Sequence, residues 1–146
     1  MGVFEQVMLF KKKYPRTITW NRLKKHSDVI EKHLNPGEEA IYTFAGQKNT
    51  HPLDWFSTAV IVLTNKRILI GQKRVLFGYS LNAITPDLFN DLQVYRGILW
   101  GKITIDTAKE VVIITNLDKK SLPEIETYIS EFMMKEKQKY GKISED

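Results

Sequence analysis

From residue 39 to residue 115 the chain is cut into short stretches of strand character, separated by short connections. The middle pair sets the pattern. Ala59–Leu63 and Ile68–Ile70 are apolar runs on either side of Asn65-Lys66. Two apolar runs around a short polar break predict two strands folded on one another, Trp55–Thr64 and Lys66–Gln72, with Asn65 as the residue that tolerates a positive φ in the turn. Glu39–Phe44 precedes this hairpin across a polar stretch, Gly46–Asp54, that contains Pro52 and reads as a loop. Leu76–Ile84 follows, with Phe77, Tyr79 and Leu81 on one face. Thr85-Pro86-Asp87 interrupts, and Asp87–Leu92 reads as a helical turn. Gln93–Arg96, Leu99–Asp106 and the β-branched run in Val111–Thr115 complete seven strands with short connections, the pattern of an antiparallel sandwich or barrel.

Helices are expected at both ends. Val3, Phe4, Val7, Met8 and Phe10 fall at helical spacing, so Gly2–Lys13 predicts a short amphipathic helix ended by Tyr14-Pro15. A second runs from about Asn21, its expected N-cap, to Leu34, with Leu23, Val29, Ile30 and Leu34 as its apolar side and Asn35-Pro36-Gly37 as its stop. At the other end Ser121-Leu122-Pro123-Glu124 matches a capping box, and Leu122, Ile125, Ile129, Phe132 and Met133 then form one apolar stripe. A helix of this kind is marginal alone in water, so the stripe is expected to close the open end of the strand barrel. It is predicted over about residues 121–138, with a frayed, solvated tail after it.

The 146 residues, 42% of them apolar, suffice for one ordinary folded core. The absence of cysteine excludes disulfides, thiolate metal sites and cysteine nucleophiles, and fits a reducing cytoplasm. No apolar run approaches the roughly 20 residues that span a bilayer. The net charge of +5 is placed unevenly: residues 1–34 carry all of it, and residues 35–146 sum to zero. The expected organisation is therefore a basic helical arm, 1–34, before a neutral body, 35–146. A neutral body argues against a specific nucleic-acid footprint.

Leu34-Asn35-Pro36-Gly37-Glu38, Leu63-Thr64-Asn65-Lys66-Arg67-Ile68-Leu69, Tyr79-Ser80-Leu81 with Ile84, and Gly97 through Gly101-Lys102-Ile103-Thr104-Ile105 together resemble the bacterial pleckstrin-homology (PH) families, particularly the YokE-like group. The resemblance covers about residues 34–134. It implies an α+β, mainly β fold: a PH-like, partly open barrel of seven antiparallel strands in two crossing sheets, stoppered by the C-terminal helix. It also implies a module without catalytic residues or cofactors, some of whose relatives form symmetric homo-oligomers. The chain departs from the family pattern at Pro86–Gln93 and in its basic arm.

Four kinds of site can be tested against these residues. His26 and His33 stand seven apart, too far for one metal without further ligands, and read as helix-surface or packing residues. His51 lies beside Asp54, but no nucleophile in a recognisable turn accompanies it, so a small hydrolase centred on His51 ranks last. In the PH reading Lys48, Lys73, Arg74 and Lys109 gather at the barrel mouth, opposed by Asp54 and Glu110; the dense basic motif of phosphoinositide-binding relatives is missing, so the rim reads as ordinary mixed charge. The arm offers Lys11, Lys12, Lys13, Arg16, Arg22, Lys24 and Lys25, interleaved with aromatics including Trp20, as candidate contacts for an anionic surface or a partner. The leading expectation is a non-catalytic cytoplasmic module acting through protein contacts, including self-association. The runner-up is weak peripheral membrane binding through the arm.

Overall fold

A computed structural model of the protein describes residues 1–20, 22–48, 57–74 and 77–145, with side chains through Lys135. Two N-terminal helices, α1 (Val3–Lys13) and α2 (Leu23–Glu31), lead into seven strands: β1 (Ala40–Lys48), β2 (Thr58–Thr64), β3 (Ile68–Lys73), β4 (Tyr79–Ile84), β5 (Phe89–Arg96), β6 (Gly101–Thr107) and β7 (Val111–Leu117). A single long helix, α3 (Leu122–Glu145), ends the fold and continues beyond the expected stop near residue 138. The strands form one antiparallel hydrogen-bonded sheet in the order β4-β3-β2-β1-β7-β6-β5. Its two halves meet at a narrow corner, where β1 pairs with β7 only at Gln47↔Thr115 and Lys48↔Ile114.

Both faces of β2 are buried, and this explains its unbroken apolar sequence. Ala59, Ile61 and Leu63 turn into the barrel with Phe44, Ile70, Ile103, Ile105 and Ile114, and there they meet Leu122, Ile125, Ile129 and Met133 of α3. The predicted stripe of α3 is thus the stopper of the barrel core. Val60 and Val62 turn the other way, against Val3 and Val7 of α1 and Ile30 of α2. The two N-terminal helices therefore cover the outer face of β1–β3. On β6, where no helix covers the outer face, burial alternates along the strand.

Several local expectations are corrected. β1 runs on to Lys48, through residues read as the start of a loop, because Gln47 Nε2 reaches Ile18 O and Thr58 Oγ1 and Lys48 Nζ reaches Asn82 Oδ1. The helical turn after Thr85 is limited to Pro86–Leu88, and the strand starts at Phe89 with an irregular register before Asp91. Ser121 does not cap α3: its Oγ donates to Asp118 O at 2.6 Å, and Asp118 accepts from Lys120 N at the head of a 3-10 turn. Helix α2 has Arg22, at φ 86, in the N-cap place; Asn21 lies outside the described residues.

The β2–β3 turn differs from expectation too. Asn65 is not among the positive-φ residues. Its side chain instead ties the turn to the segment before β1, with Oδ1 accepting from Glu39 N and Nδ2 donating to Gly37 O. Beside it Glu38 is buried and holds Arg67 through two bonds of 3.0 Å, from Nε and Nη2. Thr64 Oγ1 and Asn35 N also donate to the same carboxylate. Two of the motifs that carry the PH resemblance, Leu34–Glu38 and Leu63–Leu69, are therefore joined in one clasp.

Candidate functional site

The cations expected at the barrel mouth are dispersed or engaged. Lys48 Nζ donates to Asn82 Oδ1 at 2.7 Å, and Asn82 Nδ2 donates to Glu110 Oε1 at 2.7 Å, so a polar chain joins β1, β4 and the β6–β7 turn. Burial pushes the Lys48 pKa down, and the Glu110 charge works against that shift. Lys109 and Arg74 are exposed in their turns. Lys73 lines a cleft together with Lys25 and Lys32. His51 and Asp54 lie outside the described residues.

The arm cations divide similarly. Lys11 Nζ donates to Thr17 O at 2.6 Å, and burial lowers its pKa. Lys13 pairs with Glu124 of α3 at 2.5 Å, and Lys24 pairs with Asp28 at 2.9 Å while lying over the Phe4 ring. Glu124 also accepts from Tyr42 Oη at 2.9 Å. Burial would raise its pKa, but the bonds from Lys13 and Tyr42 outweigh that and leave it lowered. Lys11, Lys13 and Lys24 thus each have a partner within the chain. Lys12, Arg16 and Lys25 face solvent, and Trp20, 47% exposed, borders a shallow hollow with Phe4, Arg22 and Lys24.

His26 of α2 and His33, in the turn after it, have separate tasks. His26 is buried, and its Nδ1 accepts from Lys73 N at 2.7 Å. Desolvation, and then the Arg22 charge, push its pKa down to about 4, so it is a neutral acceptor at pH 7. His33 Nδ1 stands 2.6 Å from Val29 O, which only an N–H can face, and its Nε2 meets Tyr79 Oη at 3.0 Å. Among the described residues no group of three or more His, Asp or Glu is placed to hold a metal.

Among the described residues, one exposed apolar feature was passed over in reading the strands by alternation. At the β5–β6 turn Ile98 is 90% exposed, Leu99 64% and Trp100 37%, and Tyr95 stands beside them at 62%. Three hydrogen bonds hold the turn. Gly97 N donates to Trp100 O at 3.0 Å, Trp100 Nε1 donates to Arg16 O at 3.1 Å, and Lys119 Nζ donates to Ile98 O at 2.6 Å. A Cβ on Gly97 would lie 2.8 Å from Trp100 O, so the turn needs glycine there. The sequence signal was present: three apolar residues after a glycine, at a hairpin turn, where polar residues are the rule.

Residues 34–131 match the family described as Bacterial PH domain. No curated protein matches the chain. Among solved structures, it is similar to a DUF1696 family protein with a pleckstrin-homology domain from Shewanella loihica, at 13% identity and a TM-score of 0.48, over 78% of this chain and 99% of that one. It is also similar to a pleckstrin homology domain from Shewanella amazonensis, at 13% identity and a TM-score of 0.44, over 80% of this chain and 88% of that one.

Proposed function

The chain belongs to the bacterial PH domain family, whose fold generally serves as a non-catalytic interaction module, and from that premise we propose that it acts through protein–protein contacts, including contacts with its own copies. We place it in the YokE-like group on the motifs set out above, and in the cytoplasm on its lack of cysteine. No helix among the described residues is long and apolar enough to cross a membrane.

The observation that carries this reading is the β5–β6 tip. Ile98 and Leu99 are held out in water by a latched turn. Burying a side chain of this size is worth about 1.5–3 kcal/mol, and a tip held by hydrogen bonds loses little further entropy on docking. A contact between copies gains that term twice. Light scattering on the eluting protein tests it: the parent chain runs as a dimer or larger species and the Ile98→Ser, Leu99→Ser double variant as a monomer. A parent chain that stays monomeric at high concentration removes self-association from the proposal.

A second reading, peripheral contact with an anionic membrane through the arm, is favoured by Trp20 beside Arg22 and Lys24. Aromatic residues next to cations suit a membrane interface, and each cation near it adds about 1 kcal/mol. Co-sedimentation with vesicles at two salt concentrations separates the readings. Salt-sensitive binding that is lost in Trp20→Ala selects the second.

A further inference from the structure

We propose that the cleft between α2 and the adjoining ends of β3 and β4 binds a phosphate-bearing anion through the ammonium groups of Lys25, Lys32 and Lys73. The cleft has a volume of about 310 Å³ and is also lined by Asp28, Val29, His33 and Tyr79. Its cations come from two elements that the fold brings together. Lys25 and Lys32 stand two turns apart on the side of α2 that also carries Asp28 and Val29, while Lys73 ends β3 and is fixed there by its N–H bond to His26.

The charge in this cleft is not balanced by the protein. Among the described residues none of the three ammonium groups has an ion-pair partner. The one lining acid, Asp28, is engaged by Lys24 through Oδ1 at 2.9 Å. Lys32 follows the last turn of α2, where a cation is favourable for the helix itself. That reason does not extend to Lys25 near the helix start or to Lys73 on a strand. Like charges gathered on one concave surface repel, and an anion that collects them turns the repulsion into attraction.

One wall of the cleft is pre-set. His33 is anchored through Nδ1 to Val29 O and through Nε2 to Tyr79 Oη, with ring centroids 4.9 Å apart. This bridge joins α2 to β4 and keeps the lysine-bearing face of the helix over the strand ends. A phosphate group, with charge on several oxygens, suits three separate point-charge donors better than a single carboxylate does. The cleft takes Lys73 from the four cations expected at the barrel mouth and joins it to Lys25, Lys32 and His33, which precede the matched family region.

Amide NMR titration with inorganic pyrophosphate tests the proposal on the full chain, alongside co-sedimentation with vesicles of phosphatidylcholine and phosphatidylglycerol. Saturable shifts centred on Lys25, Lys32, His33, Lys73 and Tyr79 are expected. The Lys25→Gln, Lys32→Gln, Lys73→Gln variant weakens binding by about tenfold or more. A control variant with the same charge loss elsewhere, Lys66→Gln, Lys120→Gln, Lys135→Gln, does not. Pyrophosphate binding identifies a free phosphate as sufficient, whereas vesicle binding alone, lost in the cleft variant, assigns a lipid headgroup. The proposal is overturned if neither probe binds, or if the cleft and control variants lose binding equally.

Discussion

Glu38 shows how far one residue can set the fold of a chain like this. Its side chain is fully buried and receives bonds from Arg67, Thr64 and the Asn35 N–H, while Arg67 Nη2 also donates to His33 O. Burial alone would raise its pKa; the Arg67, Asn35 and Thr64 bonds, with the Arg67 charge, outweigh it and bring the value down to about 2. A bidentate pair of this kind fixes an orientation as well as a distance. It locks the end of α2, the start of β1 and the β2–β3 turn together. Removing one partner from a buried pair costs about 3–5 kcal/mol, and the partial exposure of Arg67, 19%, places Glu38→Gln near the lower end. Urea unfolding should show the loss, with Arg67→Lys intermediate because it keeps the charge but not the fork. A change below about 1 kcal/mol would mean that the clasp is incidental.

At the scale of elements, the helix pair on the outer face is what turns a basic arm into part of the core. α2 approaches β3 closely only because residue 71 is glycine: a Cβ there would meet Ile30 Cγ1 at 2.7 Å and His26 O at 3.2 Å. Gly71→Ala should therefore push α2 outward at a cost of about 1–3 kcal/mol. Amide exchange reads this directly, with protection falling along α2 and unchanged in β6 and β7. The sequence made some of this architecture legible and hid the rest for identifiable reasons. Alternation in β6 and the apolar stripe of α3 are local signals, and they survive because each element buries one side. The unbroken run Ala59–Leu63 likewise carries the mark of burial on two faces. By contrast, the capping box at Ser121 was a correct pattern with the wrong outcome. Glu124 is taken by Lys13 and Tyr42, residues distant in sequence, and Ser121 by Asp118. Of the candidate site, the cations were visible but their pairing was not. Which lysines face Asp28, Glu124 or Asn82, and which face a cleft, depends on packing between elements.

For the whole molecule these buried groups predict a stability that is lost toward acid in two stages. His26 has its pKa lowered to about 4 in the fold, against an ordinary value of 6.5, so below pH 6.5 the unfolded chain binds a proton that the folded one refuses. Stability conferred by this group is complete above pH 6.5 and declines as pH falls toward 4. The slope approaches about 1.4 kcal/mol per pH unit for one proton. Glu38 acts in the same direction lower down, from an ordinary value of 4.5 to about 2, and Glu124 is shifted the same way. Lys11 and Lys48, also lowered, start from 10.5 and belong to the alkaline range. The two acid stages can be separated with His26→Asn, which keeps an acceptor for Lys73 N but takes up no proton. Thermal melts should then show the parent chain losing stability between pH 7 and 5 while the variant stays level, and both falling together below pH 4.5. A parent chain whose melting temperature is flat from pH 7 to 5 would show that the imidazole is not sequestered. In that case the seat of α2 on β3, which His26 secures through the Lys73 N–H, would have to be open to water.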